Sequence, residues 1–486
     1  MPVGVLEAWA LGALAVAALA GFLAYPTWPA YDSAYALVWG REVLDGTAPS
    51  FDAFRAPTEH PLAVAFGTVL APLGTDLAPR AMLAATVVSF VGLVAGVHRL
   101  ARGAFGSAVA VVAALLLLTR LDYPFLAARG YVDIPYLALV VWAAVIVARA
   151  PSRAAHRGRR ATLVLGLLAL AGLLRPEAWL LAGGYVLWLA PGAPWAQRAR
   201  LAALAAVAPV LWTLTDWAAT GDPLFSQHHT NALAEELGRQ RPASEAPRLL
   251  ADYLERLTKW PVLAAAVAGI GLAWWLARRR VAVPLVLTAS GIVTFLAIAV
   301  AGLAVIERYL AISALGLLLF AAFAVAGWTT LPRGHRARRP WALVSAAAVA
   351  LGGAWTVTHL SAAKVDAELR SRVDVRRSLQ GLLTDPAVTR ARACGPVTVP
   401  THKLLPDTRW ILDAGVAGVR ARNDLADAGR NTKGVHVYLW GSDMLRNPAY
   451  GPLGNEKHAE QPLILVPPAD AVVIARTEGF VAYASC

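Results

Sequence analysis

Long apolar runs alternate with short polar ones along most of the chain. A helix needs about 20 apolar residues to cross a hydrocarbon core. The first such run extends from Val3 to Leu23, and others follow at approximately 81–99, 104–120, 131–149, 161–175, 177–190, 198–217, 259–277, 281–305, 309–330 and 341–360. The pattern predicts about eleven membrane-spanning helices by hydropathy and length. A shorter, proline-bounded run from Pro61 to Leu73 reads as a re-entrant or interfacial helix. The first run lacks a basic stretch ahead of it and a small-residue cleavage site, so it reads as a retained span and not as a removed signal.

The first polar segment, within residues 26–62, interrupts this pattern with WPAYDSAYALVWGREVLDGTAPSFDAFRAPTEHPL from Trp28 to Leu62. Asp32-Ser33 stands before an apolar run as a helix cap does. From there to Leu44 the pattern is amphipathic, with Arg41, Glu42 and Asp45 on one arc and Tyr35, Leu37 and Trp39 elsewhere. This predicts a helix lying along the membrane surface with its aromatic residues at headgroup depth. Asp45-Gly46 and Pro49 end it.

After about residue 360 the character changes. Charge and proline rise, a helical stretch runs from Ala363 to Leu383, and short β-like runs appear at Pro396–Val399, Val435–Leu439, Leu463–Val466, Ala471–Ala475 and Val481–Tyr483. The division is therefore a membrane domain over 1–360 and a small α/β domain over 361–486. Both cysteines, Cys394 and Cys486, lie in the second. Outside the cytoplasm such a pair persists as a disulfide, and two unpaired thiols are the alternative.

Composition strengthens this picture: 58% of the 486 residues are hydrophobic and 15% charged, with a mean hydropathy of +0.54. A net charge of +13 would point to nucleic acid in a soluble protein. Here its location explains it, because arginine concentrates in short loops: Arg99 and Arg102, Arg149 to Arg160, Arg198 and Arg200, Arg278 to Arg280, and Arg333 to Arg339. Short basic loops stay on the cytoplasmic side. The expected topology is a cytoplasmic N-terminus and an extracytoplasmic C-terminal domain, with no role for nucleic acid.

With that topology the unusual polar residues collect at the outer face. Besides the first loop, with Asp32, Glu59 and His60, these are Asp122, Arg129 and Asp133; Arg175 and Glu177; Asp216, Asp222, His228 and His229; and Glu307 and Arg308. Ionisable groups at span ends are costly and usually pair or serve function. Each has a plain structural alternative. Arg129 and Asp133 could be an intrahelical pair, Arg175 could snorkel beside Pro176, and Asp32 could be a cap. Together, three arginines beside several carboxylates fit bidentate phosphate recognition, and a phosphate at this surface points to a lipid-linked substrate.

These residues carry a resemblance to the C-type (GT-C) glycosyltransferases, the superfamily of protein O-mannosyltransferases and lipid A aminoarabinose transferases. The matching pieces are Asp32 to Leu44 just after the first span, Glu59-His60-Pro61-Leu62, the Arg-x-x-x-Asp of Arg129 to Asp133, and Arg308-Tyr309-Leu310, within a layout covering roughly residues 1–360. Ser33 stands where many relatives have a second acid. The resemblance implies transfer of a sugar from a polyprenyl-phosphate donor to a hydroxyl of an envelope glycan, lipid or protein, with inversion. Asp32 would be the general base and Asp133 would stabilise an oxocarbenium-like transition state. Arg129, Arg175 and Arg308 would hold the lipid phosphate. Glu59, His60, Glu177 and His228 complete the candidate substrate contacts, and Asp32, Glu59 and His60 are the candidates for a divalent metal. A transporter or flippase of lipid-linked saccharides is the alternative from another class, although no internal repeat of the kind such folds show is visible.

Overall fold

Backbone groups in hydrocarbon must bond within their own segment, which favours helix wherever the chain is continuously apolar. In the computed structural model, which describes residues 3–25, 27–150, 152–359, 361–424, 433–447, 449–451 and 467–486, each predicted apolar run lies on a helix. Among the described residues seven helices are long and apolar enough to cross a membrane. An eighth span results if the Ser107–Thr119 and Asp122–Ala128 helices, bent by 61°, act as one. The remaining runs form the shorter helices Asp133–Ala148, Arg159–Gly172 and Glu177–Leu189. The protein is a multi-pass membrane protein. The Pro61–Leu70 helix does not stand alone: it continues through a tight turn at Ala71–Leu73 into the Gly74–Phe105 helix, and Gly74, at φ +81°, marks the joint.

The Ala311–Ala326 helix is buried along nearly its whole length and forms the centre of the bundle. Small residues let its neighbours approach closely. A methyl group on Gly269 of the Trp260–Ala277 helix would lie 1.9 Å from the Phe320 carbonyl oxygen.

The helix after the first polar residues, Tyr31–Leu44, departs from the interfacial expectation. Ser33 to Gly40 are buried, and Tyr35 and Trp39 pack with Phe51 and Val64. Its polar arc faces the C-terminal domain instead of water: Arg41 pairs with Asp413 at 2.9 Å and donates to the carbonyls of Arg409 and Trp410, while Glu42 pairs with Arg409. A helix covered by a second domain has the same polar–apolar alternation as one covered by headgroups.

That C-terminal domain contains a five-stranded sheet of β1 (Val397–Val399), β2 (Val419–Ala421), β3 (Gly434–Leu439), β4 (Val472–Arg476) and β5 (Phe480–Ser485), in the order β2-β1-β3-β5-β4. β1 pairs in parallel with β2 and β3; β5 pairs antiparallel with β3 and β4. The Ala362–Leu383 helix packs on it, with Leu379 and Leu382 in a core separate from that of the membrane helices. β2 was not foreseen, and the predicted strand at Leu463–Val466 lies outside the described residues. Cys394 and Cys486 form a disulfide, closing the sheet's two chain ends.

Candidate active site

Two glycines bring the first loop's two halves together. A Cβ on Gly40 would lie 2.3 Å from the Gly67 carbonyl carbon, and one on Gly67 would lie 2.2 Å from the Ala36 oxygen. The Tyr31–Leu44 helix therefore crosses the Pro61–Leu70 helix in direct backbone contact. Its N-terminal end is pinned to the turn at Arg129-Gly130: the Ala30 amide donates to the Arg129 carbonyl at 2.7 Å, and Ser33 Oγ donates to the Gly130 carbonyl at 2.6 Å. Ala30, not Asp32, is the cap residue. The Asp32 carboxylate is thus free to point outward from the first turn, where the helix dipole favours its charge.

Asp32 meets Arg308, on the turn Glu307–Leu310, with Oδ2 3.6 Å from Nη1. The same Nη1 donates to Asp133 Oδ2 at 3.2 Å. Asp133, 1% exposed, opens the Asp133–Ala148 helix and takes a second cation on its other oxygen, Arg175. Arg175 in turn bonds Glu177 Oε1 from Nη2 at 2.9 Å and from Nε at 3.1 Å. Its guanidinium also lies over the rings of Tyr136 and Tyr309. Arg175 is fully engaged and buried, whereas Arg308 keeps a third of its side chain exposed.

Arg129 and Asp133 are not an intrahelical pair. Gly130, at φ +74°, ends the preceding helix, so the four-residue spacing does not lie on one helix face. Arg129 turns instead toward the C-terminal domain and bonds Glu368 at 3.3 Å. Its Nε and Nη2 are buried without partners. The ring of Tyr131 joins the two groups, with Arg308 on it at 4.9 Å and Arg129 at 5.9 Å. Arg372, which donates to Tyr450 at 3.0 Å, adds a further positive charge beside Arg129. Tyr131 and Arg372 were not singled out in the sequence. The signal available was an aromatic residue between Arg129 and Asp133 and an arginine-rich helix after residue 361.

His60 faces the same cluster, within electrostatic reach of Asp32, Arg175, Asp133 and Arg308. Burial pulls its imidazole down to about 4, so the ring is neutral, and its Nδ1 has no hydrogen-bond partner. Glu59 points elsewhere. It bonds Ser226 Oγ, which also contacts Asp216 at 2.8 Å. Burial, reinforced by a hydrogen bond to Asp216 and its charge, pushes Glu59 up to about 8, leaving it protonated at neutral pH. Asp32, Glu59 and His60 therefore do not converge as metal ligands. Among the described residues no group of three or more His, Cys, Asp and Glu side chains is arranged to hold an ion. His228 makes an exposed pair with Asp222 at 2.6 Å, outside the bonding of the cluster.

The geometry is thus two acids bridged by one partly exposed arginine, with a second arginine across an aromatic ring offering unused donors. Several solved structures share the architecture around it. ArnT, an aminoarabinose transferase from Cupriavidus metallidurans, bound to undecaprenyl phosphate, aligns with a TM-score of 0.59 and 15% identity over 100% of this chain and 98% of that one. The chain has the GT-C fold. The oligosaccharyltransferase of Archaeoglobus fulgidus in its apo form shares that fold at a TM-score of 0.53 and 11% identity, over 93% of this chain and 72% of that one. The archaeal oligosaccharyltransferase AglB from Archaeoglobus fulgidus, in complex with an inhibitory peptide and a dolichol-phosphate, gives 0.51 and 12% over 94% and 69%. No family model and no curated protein matches the sequence. In this GT-C fold the described cluster lies at the end of the bundle that carries the C-terminal domain, since Arg129, Arg41 and Glu42 all bond to that domain.

Proposed function

We propose that the protein is a membrane glycosyltransferase that moves a sugar from a polyprenyl-phosphate donor to an acceptor hydroxyl of an envelope glycan, lipid or protein outside the cytoplasm. The observation that carries this reading is Arg308 Nη1 lying within 3.6 Å of Asp32 and 3.2 Å of Asp133 while a third of its side chain stays exposed. The undecaprenyl phosphate and dolichol-phosphate bound by proteins of the same fold support the donor class.

Asp32 accepts the proton of the acceptor hydroxyl as its oxygen attacks the anomeric carbon from the face opposite the phosphate. The bond from that carbon to the phosphate oxygen breaks, its electron pair stays on the polyprenyl phosphate, and the configuration inverts. Arg308 and the free donors of Arg129 hold the departing phosphate, with Arg372 adding charge, because fixed guanidinium groups stabilise negative charge where it develops. Asp133 and Arg175 act as positioning residues. Their buried pairing orients Arg308, and Asp133 adds negative charge beside the oxocarbenium-like centre. The neutral His60, through Nδ1, contacts a sugar or acceptor hydroxyl.

The test is transfer of label from a panel of polyprenyl-phosphate hexoses and pentoses to envelope extract by the purified protein in nanodiscs. Product formed by the natural protein and lost in Asp32→Asn supports the reading. Undiminished transfer by Asp32→Asn overturns the base assignment, and vectorial movement of donor without glycoside formation would identify a flippase instead.

A further inference from the structure

Away from the acid–arginine cluster, a cavity of about 250 Å³ opens where the first helix meets the C-terminal domain. Its wall includes Phe22, Tyr25, Trp28, Asp76, Arg80 and Arg376. Arg376 sits on the Ala362–Leu383 helix and is 3% exposed, yet none of its three guanidinium nitrogens has a hydrogen-bond partner. Its guanidinium stacks on the ring of Trp28 at 4.3 Å. Asp407 and Asp76 lie within electrostatic reach of it but do not bond it: Asp407 accepts from Trp28 Nε1 at 2.8 Å, and Asp76 accepts from Gln380 at 3.3 Å. A buried guanidinium with five idle N–H donors is costly unless something accepts from them.

The surroundings say what that acceptor is. Arg80 and Arg377 also line the cavity, so its wall carries three guanidinium groups against the single carboxylate of Asp76. Arg80 lies over the Phe22 ring at 5.7 Å. The mouth stands at the end of the Val3–Ala24 helix, whose apolar surface is uncovered; Leu19 and Leu23 are 56% and 64% exposed. Acyl chains lying along that helix would bring their headgroup to this cavity. A planar guanidinium with parallel N–H groups matches a phosphate bidentately.

We propose that this cavity binds the phosphate of an anionic membrane lipid, with Arg376 as its principal ligand and Arg80 at the entrance. The site is distinct from the Asp32 cluster and independent of the proposed transfer reaction. The bound headgroup satisfies Arg376 and fastens the C-terminal domain to the membrane domain through Trp28.

The experiment is thermal unfolding of the full-length protein in detergent, titrated with phosphatidylglycerol, phosphatidylcholine or inorganic phosphate. Phosphatidylglycerol is expected to raise the unfolding temperature of the natural protein at lower concentration than either other probe. Arg376→Met keeps the apolar stem against Trp28 and loses no hydrogen bond. Without lipid it is expected to unfold at the same temperature as the natural protein or higher, and with lipid to need about tenfold more phosphatidylglycerol for the same shift. Arg80→Gln, at the exposed mouth, is expected to weaken the response in the same direction and serves as the test if Arg376→Met does not fold. An unchanged phosphatidylglycerol response in either variant overturns the proposal. So does a lower lipid-free unfolding temperature for Arg376→Met, which would make the residue structural. Equal potency of inorganic phosphate overturns the assignment to a lipid.

Discussion

Arg308 and Asp32 face each other across 3.6 Å, and the same guanidinium nitrogen holds Asp133 at 3.2 Å. One cation therefore restrains two acids, one of them partly exposed and the other buried. If Asp32 is the base, Asp32→Asn removes the proton acceptor and leaves shape intact. Transfer is expected to fall about 10²–10⁴-fold, the range of general-base contributions. Because Asp32 caps nothing and its pair with Arg308 is partly exposed, the unfolding temperature is expected to fall only slightly; a large fall in it would return Asp32 to a structural role.

Arg175 and Asp133 are both buried and bonded to each other. Removing one partner of such a pair leaves a charge stranded and costs about 3–5 kcal/mol. Arg175→Ala is expected to lower stability on that scale, measured by denaturant-dependent fluorescence. The double variant Arg175→Met with Asp133→Leu is expected to recover only part of it, because the buried Glu177 stays without its cation, and to remain inactive.

Glu59 offers a pH signature. Its folded value, about 8, lies above the ordinary glutamate value, so the folded state binds the proton more tightly than the unfolded one. The stability this contributes is complete below the ordinary value and is lost as pH rises through about 8. His60 slopes oppositely, but only between its folded value of about 4 and its ordinary value near 6.5. Between pH 6.5 and 8.5, then, the unfolding temperature is expected to fall in the natural protein and to fall less in Glu59→Gln.

The crossing at Gly40 and Gly67 leaves no room for a side chain. Gly67→Val forces the Asp32 helix away from His60 and is expected to cost about 1–3 kcal/mol or more. Activity is expected to fall further than stability explains; full activity in a stably folded Gly67→Val would show that this contact does not position the site.

The disulfide closes a separation of 92 residues. Cys486→Ser is expected to cost about 2–5 kcal/mol, seen as earlier unfolding of the C-terminal domain under non-reducing conditions and no difference under reduction.

The membrane helices were legible because hydropathy is additive along a run and needs no knowledge of what the run touches. Arg175 and Glu177 were visible as candidates at a span end, but their pairing with each other shows only in the structure. Arg308 and Asp133 were each visible as candidates, but nothing local could join residues 175 apart. For Asp32, read as the candidate base, a cap was the structural alternative because an acid before an apolar run usually is one; the cap falls two residues earlier, at Ala30. The Tyr31–Leu44 helix read as interfacial because a domain surface and a headgroup layer select similar residues. Glu59 looked like a partner of Asp32 and instead faces Ser226, since the turn between them sets the direction of its side chain. β2, three residues long, is held by its place beside β1 and has no pattern of its own.

Glu42, on the helix that bears Asp32, is grasped by Arg409, made 367 residues later. A ribosome thus releases the acid-bearing segment early and its brace almost last. Until the tail has emerged and folded, that segment lacks the Arg409 and Asp413 contacts that brace its polar side.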